Sequence, residues 1–317
     1  MGNSTSPFAP SAELTAIAIA YRNPAYTLIA DQVMPRVNPK LTKKEFTYLV
    51  YNLADGYTVP DLSVGRLGTP GNASTMATEL PGKVEDFALD YPVPQDDIDQ
   101  AKGTRTNPLG FATEFTTNLV NLGREMRVAA KTFSAASYAA GNVETLAGTD
   151  QFNDLVNSDP VEVVLDMLGR PVMRPNRLTF GQSVWSVFRR HPALMKAIFP
   201  NGNGAGMATR EQVAELFEVK EVLVGESFVN ASRKGQAANL QRVWGNHIAG
   251  HFIDPTANNQ QGVTWGMTLQ YGDRSAGTVQ DGSIGARGGQ RARVIDSVAE
   301  LVTAPEVGFL IQNAIAG

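Results

Sequence analysis

The spacing of hydrophobic and polar positions changes several times along the chain, and each change marks an element. Residues 1–11 (MGNSTSPFAPS) have no apolar period and two prolines, which predicts an arm. An apolar run at 12–20 (AELTAIAIA) predicts a short helix, and Pro35 and Pro39 then lead to Lys40, Lys43 and Lys44. Aromatic and β-branched residues at 45–51 (EFTYLVY) and 84–91 (VEDFALDY) predict two strands. About thirty residues rich in Gly, Pro, Thr and Ser separate them, longer than connections inside a compact domain usually are. The two strands and this connection predict a long projecting hairpin over 46–95.

From 108 to 140 the period becomes helical. Phe115, Leu119, Leu122, Met126, Ala129, Phe133, Ala136 and Ala140 recur at gaps of four and three, which predicts one apolar stripe facing a core. Asn107 suits the N-cap, Pro108 the first turn and Gly141 the stop. At 1.5 Å per residue this spine would be roughly 50 Å long. Short units follow. Asp159 and Pro160 open a helix closed by Gly169, residues 177–180 predict a strand, and two helical pieces flank Pro192. Thr209 and Gln212 form a capping box. Strand patterns then occupy 218–230, 243–254, 263–272 and 291–302, before a last apolar element at 306–316. The class is α+β with an elongated outline.

Composition narrows the chemistry. With no Cys among 317 residues, thiolate metal sites, disulfides and cysteine nucleophiles are excluded. The net charge of −4 argues against non-specific nucleic-acid coating. No segment approaches 18 apolar residues and the N-terminal run has no basic flank, so the reading is a soluble protein that stays where it is translated. Of the three histidines, His247 and His251 are four apart, a metal-ligand spacing on a helix. Their flanks predict a strand, where residues four apart stand about 13 Å from each other, too far for one ion. The glycine loop at 201–206 has no Gly-Lys-Ser/Thr, the Gly-rich run at 285–289 reads as a loop tip, and Asp96, Asp97 and Asp99 read as a solvated turn. No catalytic, cofactor-binding or metal residues are expected.

Charge is unevenly distributed. Residues 79–99 hold seven acids against Lys83 alone, and residues 170–196 hold six basic residues and no acid. Arginine outnumbers lysine 18 to 9, and arginine favours bidentate interface pairs. Candidate contacts between copies of the chain are therefore Lys83, Glu85, Asp86 and Asp90 on one side and Arg174, Arg177, Arg189 and Arg190 on the other.

The order of parts resembles the major capsid proteins of tailed bacteriophages, with their Hong Kong 97 fold. The resemblance is strengthened by WGNHIAGHFID at 244–254, TWGMTLQ at 264–270, RARVIDS at 291–297 and APEVGFLIQNAI at 304–315. It implies an N-terminal arm (1–45), an extended hairpin loop (46–95) lying over the adjacent subunit, a peripheral domain (96–157 and 255–302) with the spine helix 108–140, and an axial domain (158–254 and 303–317). It also implies a non-enzymatic shell subunit that forms pentamers and hexamers around packaged double-stranded DNA, assembled in the bacterial host cytoplasm into a virion. The implied partners are a separate scaffolding protein, since the chain has no room for a long scaffolding segment, a portal protein and a decoration protein; no membrane is implied. An encapsulin-like shell around a protein cargo and a hydrolase with an unrecognised site remain the alternatives.

Overall fold

A computed structural model of the chain describes residues 9–11, 14–15, 28–51, 57–60, 62–66, 68–72, 77–103, 106–201, 206–233, 235–258 and 260–316. Most of the predicted arm, most of the 12–20 helix and most of the 201–206 loop fall outside them. In chain order the elements begin with β1 (Ala9–Pro10), α1 (Ala30–Val33), β2 (Glu45–Tyr51), β3 (Ala77–Lys83) and β4 (Glu85–Pro94). The helices α2 (Gln95–Ala101) and α3 (Pro108–Thr132) follow, then β5 (Val143–Thr145), α4 (Pro160–Gly169), β6 (Arg177–Gly181), α5 (Gln182–Phe188), α6 (Pro192–Ile198) and α7 (Arg210–Leu216). The remainder is β7 (Glu221–Gly225), β8 (Phe228–Asn230), β9 (Leu240–Arg242), β10 (Ile248–His251), β11 (Gly266–Gln270), β12 (Ser275–Asp281), β13 (Gly289–Val302) and β14 (Gly308–Gln312).

Two five-stranded sheets organise these elements. The first is built on the 14-residue β13, which pairs antiparallel with β4, β12 and β11, while β1 extends β12. The second runs β5-β14-β10-β6-β7, with β5 parallel to β14 and β6 parallel to β7. Helices α4 to α7 cover it, and Phe180, Phe188, Phe217 and Phe309 are buried among them. Between the sheets lies a core of Trp244, Trp265, Tyr138, Val128, Met34 and Leu310. Here β10 brings His251 against Trp265, with ring centroids 4.0 Å apart, and its Nε2 lies 2.8 Å from the Tyr138 hydroxyl.

The caps match the sequence reading. Asn107 accepts from the Gly110 amide, Asp159 from Val161 and Glu162, and Thr209 and Gln212 complete their capping box. Other expectations need correction. The hairpin pairs β2 with β3, from Glu45 opposite Lys83 to Tyr51 opposite Ala77, so its second strand lies inside the segment read as loop. Pro81 and Gly82 hide that strand. A two-stranded ribbon tolerates proline, and a Cβ on Gly82 would come 2.5 Å from the Phe46 ring. The predicted strand at 84–91 instead pairs with β13, from Glu85 opposite Val298 to Pro94 opposite Gly289.

The spine helix ends at Thr132 and not at 140, a length of about 37 Å. Phe133 packs edge-on against Trp244, Tyr138 stacks on Trp265, and the Tyr138 hydroxyl donates to the Thr132 carbonyl at 2.6 Å. Packing both rings against the tryptophans takes the chain off the helix axis, and Ala136 and Ala140 fall in 3₁₀ turns. Residues 143–157 pack with the second sheet: β5 pairs with β14, and Leu146 and Phe152 are buried in its core. Finally, Asp96, Asp97 and Asp99 sit on the helix α2 and not in a turn, and β12, which has no counterpart among the predicted strands, pairs with β13.

Candidate assembly surfaces

The predicted apolar stripe of the spine is only partly in the core. Of its members Phe115, Leu119 and Met126 are exposed and Ala129 is buried, and Phe111, one turn before the stripe, is 60% exposed. The face toward β4 and β13 carries Ala112, Thr113, Thr116, Thr117 and Val120. The threonines bury because each hydroxyl donates to the carbonyl four residues back: Thr113 to Leu109 at 2.8 Å, Thr116 to Ala112 and Thr117 to Thr113 at 2.7 Å. Their small size lets the helix approach the strands, and the larger apolar residues are left outside. Tyr91 on β4 joins them, packing edge-on to Phe111 and Phe115, with Leu89 exposed nearby in sequence. The hairpin is similar: Tyr57, Val59, Leu62 and Val64, in the connection between β2 and β3, are all exposed. Large apolar side chains left in water in this way are candidates for contact with another surface.

The charged candidates are mostly engaged within the chain. Asp90 takes a two-pronged bond from Arg293, both contacts 2.7 Å, which holds its carboxyl below the usual range. Asp86 is bonded by Lys44 and by the Ser297 hydroxyl, with the same effect. Lys83 and Glu85 are exposed on either side of the buried Val84. In the basic segment Arg174 donates to the Phe217 carbonyl and Arg177 pairs with Glu221 at 3.4 Å. The Arg189 guanidinium lies 5.8 Å from the Trp185 ring centre, and Arg190 is exposed.

Two buried polar clusters escaped the sequence reading. Asp296 is gripped by Arg36 and Arg274, each at 2.8 Å. Burial pushes its carboxyl up, but the two guanidiniums more than offset this and hold it far below the usual range. Glu125 is fully buried on α3, accepting from the Ile29 and Ala30 amides at 2.9 Å and from Trp244 Nε1 at 2.7 Å. Desolvation raises its pKa despite the three donors. The clusters join residues 22 to 260 apart in sequence, too far for a local spacing to reveal them.

One arrangement invites a hydrolytic reading. A cleft of about 640 Å³ is lined by Ser158, Asp159, His191 and Lys196 among others, and Ser158 Oγ lies 3.2 Å from His191 Nε2. The hydrogen bonds run the wrong way for catalysis. His191 Nδ1 accepts from the Ala193 amide, so the neutral ring carries its proton on Nε2. Ser158 Oγ donates to the Asp154 carbonyl at 2.6 Å and receives the histidine proton, leaving no base for the hydroxyl. This imidazole serves as the N-cap of α6. Among the described residues, no group of three or more His, Cys, Asp or Glu side chains could hold a metal ion. His247 Nδ1 accepts from the Asn313 amide, and His251 is enclosed by rings. No helix among them is long and apolar enough to cross a membrane.

No protein-family model matches the chain. It is 46% identical over 313 residues to the major capsid protein of Pseudomonas phage JBD67, covering 99% of each protein. Among solved structures, a phage-related protein from Bordetella bronchiseptica RB50 superposes with a TM-score of 0.73 at 21% identity, over 97% of this chain and 98% of that one. The capsid of Myoviridae phage XM1 gives a TM-score of 0.53 at 10% identity, over 93% of this chain and 94% of that chain.

Proposed function

Because this chain belongs to the family of bacteriophage major capsid proteins, we infer that its copies join through the exposed apolar surfaces of α3 and the hairpin to close a shell around packaged double-stranded DNA. The observation that carries this is the stripe Phe111, Phe115, Leu119 and Met126 with Tyr91 beside it, large side chains whose exposure in one chain is relieved only by contact with another. Symmetry repeats each such contact around the shell, so modest contacts suffice.

In this reading residues 1–45 act as an arm and the hairpin lies over the adjacent subunit. The first sheet with α3 is the peripheral domain. The second sheet with α4 to α7 is the axial domain of pentamers and hexamers. A separate scaffolding protein, a portal and a decoration protein are the expected partners, and assembly takes place in the host cytoplasm. The role is structural and not enzymatic, in keeping with the Ser158–His191 geometry. A shell around a protein cargo is not favoured, because the 46% identical relative is a phage capsid protein. Replacing Phe111 and Phe115 by serine tests the reading: the variant should remain folded and lose assembly, and full assembly would refute it.

A further inference from the structure

The cleft beside His191 has a built rim. Residues 154–158 form a turn locked by Asp154, whose Oδ1 accepts from the Val156 and Asn157 amides at 3.1 and 3.0 Å and whose Oδ2 accepts from the Asn157 side chain at 2.9 Å. Ser158, bonded to both the Asp154 carbonyl and His191, fastens the turn to α6. This rigid turn holds Val156 outward at 89% exposure, with Leu155 beside it at 46%. A β-branched apolar side chain held that far into water on an ordered turn gains nothing for its own fold. Preorganisation of this kind lowers the entropy cost of a contact. The opposite wall of the cleft is supplied by Pro192, Ala193, Lys196 and Pro200. It offers apolar surface and one cation, where the turn offers apolar side chains and the anion Asp154, with a second anion, Asp159, following the turn in the lining of the cleft.

We propose that the Leu155–Val156 turn of one subunit seats in the Pro192–Pro200 wall of a second copy of this chain, with Asp154 facing Lys196. The surface therefore carries both halves of its own interface, knob and socket, with matching charge. The inference rests on the shell reading above and adds a contact on the second sheet's lobe to those of α3 and the hairpin. The cleft's volume, about 640 Å³, lies within the ~300–1,000 Å³ range of sites that enclose a bound group.

Val156→Asp and Lys196→Glu should each lower the fraction of subunits sedimenting as capsomers or particles about tenfold, the loss of one good contact. Both residues are exposed, so the thermal melt of the dispersed subunit should not move. A direct arm uses the absence of native cysteine: subunits carrying Val156→Cys are coassembled with subunits carrying Ala193→Cys and oxidised. A cross-linked dimer enriched in the mixture over either variant alone is the expected result. Normal assembly of both charge variants, or no enrichment in the mixture, overturns the inference. If the wild-type chain itself forms no oligomer, it is the shell reading that fails.

Discussion

His251 makes the core between the two sheets sensitive to acid, and the size of the effect follows from its surroundings. The ring is fully buried between Tyr138 and Trp265, its Nδ1 has no hydrogen-bond partner, and Arg177 lies close enough to oppose a second positive charge. Desolvation, helped by Arg177, lowers its pKa from 6.5 to about 3. A base whose folded pKa is depressed contributes stability above its unfolded pKa, and loses it as pH falls toward the folded one. Between about 6.5 and 3 the unfolded chain binds a proton that the folded chain refuses. The slope is therefore about 1.4 kcal/mol per pH unit, and about 3 kcal/mol is lost by pH 4. His251→Gln removes the titration while leaving a donor for the Tyr138 hydroxyl. Urea unfolding of dispersed subunits should find the variant roughly 1–2 kcal/mol less stable at pH 7, because the new amide is imperfectly paired. Between pH 7 and 4 it should lose about 3 kcal/mol less than wild type. Equal losses in the two proteins would refute the claim that His251 is folded as the neutral ring.

Glu125→Ala strips the acceptor from three buried donors, Ile29 and Ala30 amides and Trp244 Nε1, and should cost at least about 3 kcal/mol in the same unfolding assay. Gly250→Ala places a methyl 2.1 Å from the Phe309 ring; the strand pair β10–β14 must then shift, and soluble yield and melting temperature should both fall. Reversing Glu85 and Asp86 to lysine should reduce particle yield more than subunit stability, because Asp86 loses only exposed partners, Lys44 and Ser297, worth about 1 kcal/mol or less. Unchanged yield would remove both residues from the contact surface.

What the sequence made legible follows a physical rule. Caps were readable because their partners lie within three residues, as at Asn107, Asp159 and Thr209. The long strand β13 was readable because Val294, Ile295, Val298 and Val302 fall in a stretch from Arg291 to Val302 that no Gly or Pro interrupts. The late-strand motifs and the order of parts carried the resemblance to phage capsid proteins, and the 46% identical relative agrees with it. The α3 stripe misled for a reason peculiar to an assembling chain. Hydrophobic periodicity identifies the face that avoids water, and in a single chain that face need not be the core. The core face instead used threonines that satisfy their own hydroxyls, which a hydropathy pattern scores as polar. The spine was overextended because the alanines after Thr132 keep the helical period while Phe133 and Tyr138 are drawn aside by Trp244 and Trp265. The Asp296 and Glu125 clusters were invisible because they join distant segments. Acid and base counts likewise suggested unpaired patches where the fold makes ion pairs such as Asp90–Arg293.

Electron microscopy and sedimentation of the purified protein over a wide range of concentrations test whether copies of this chain join one another. Closed shells, or pentameric and hexameric capsomers, are the predicted result. A stable species of 34.0 kDa, monomeric at every concentration with the α3 stripe still open to water, would contradict it.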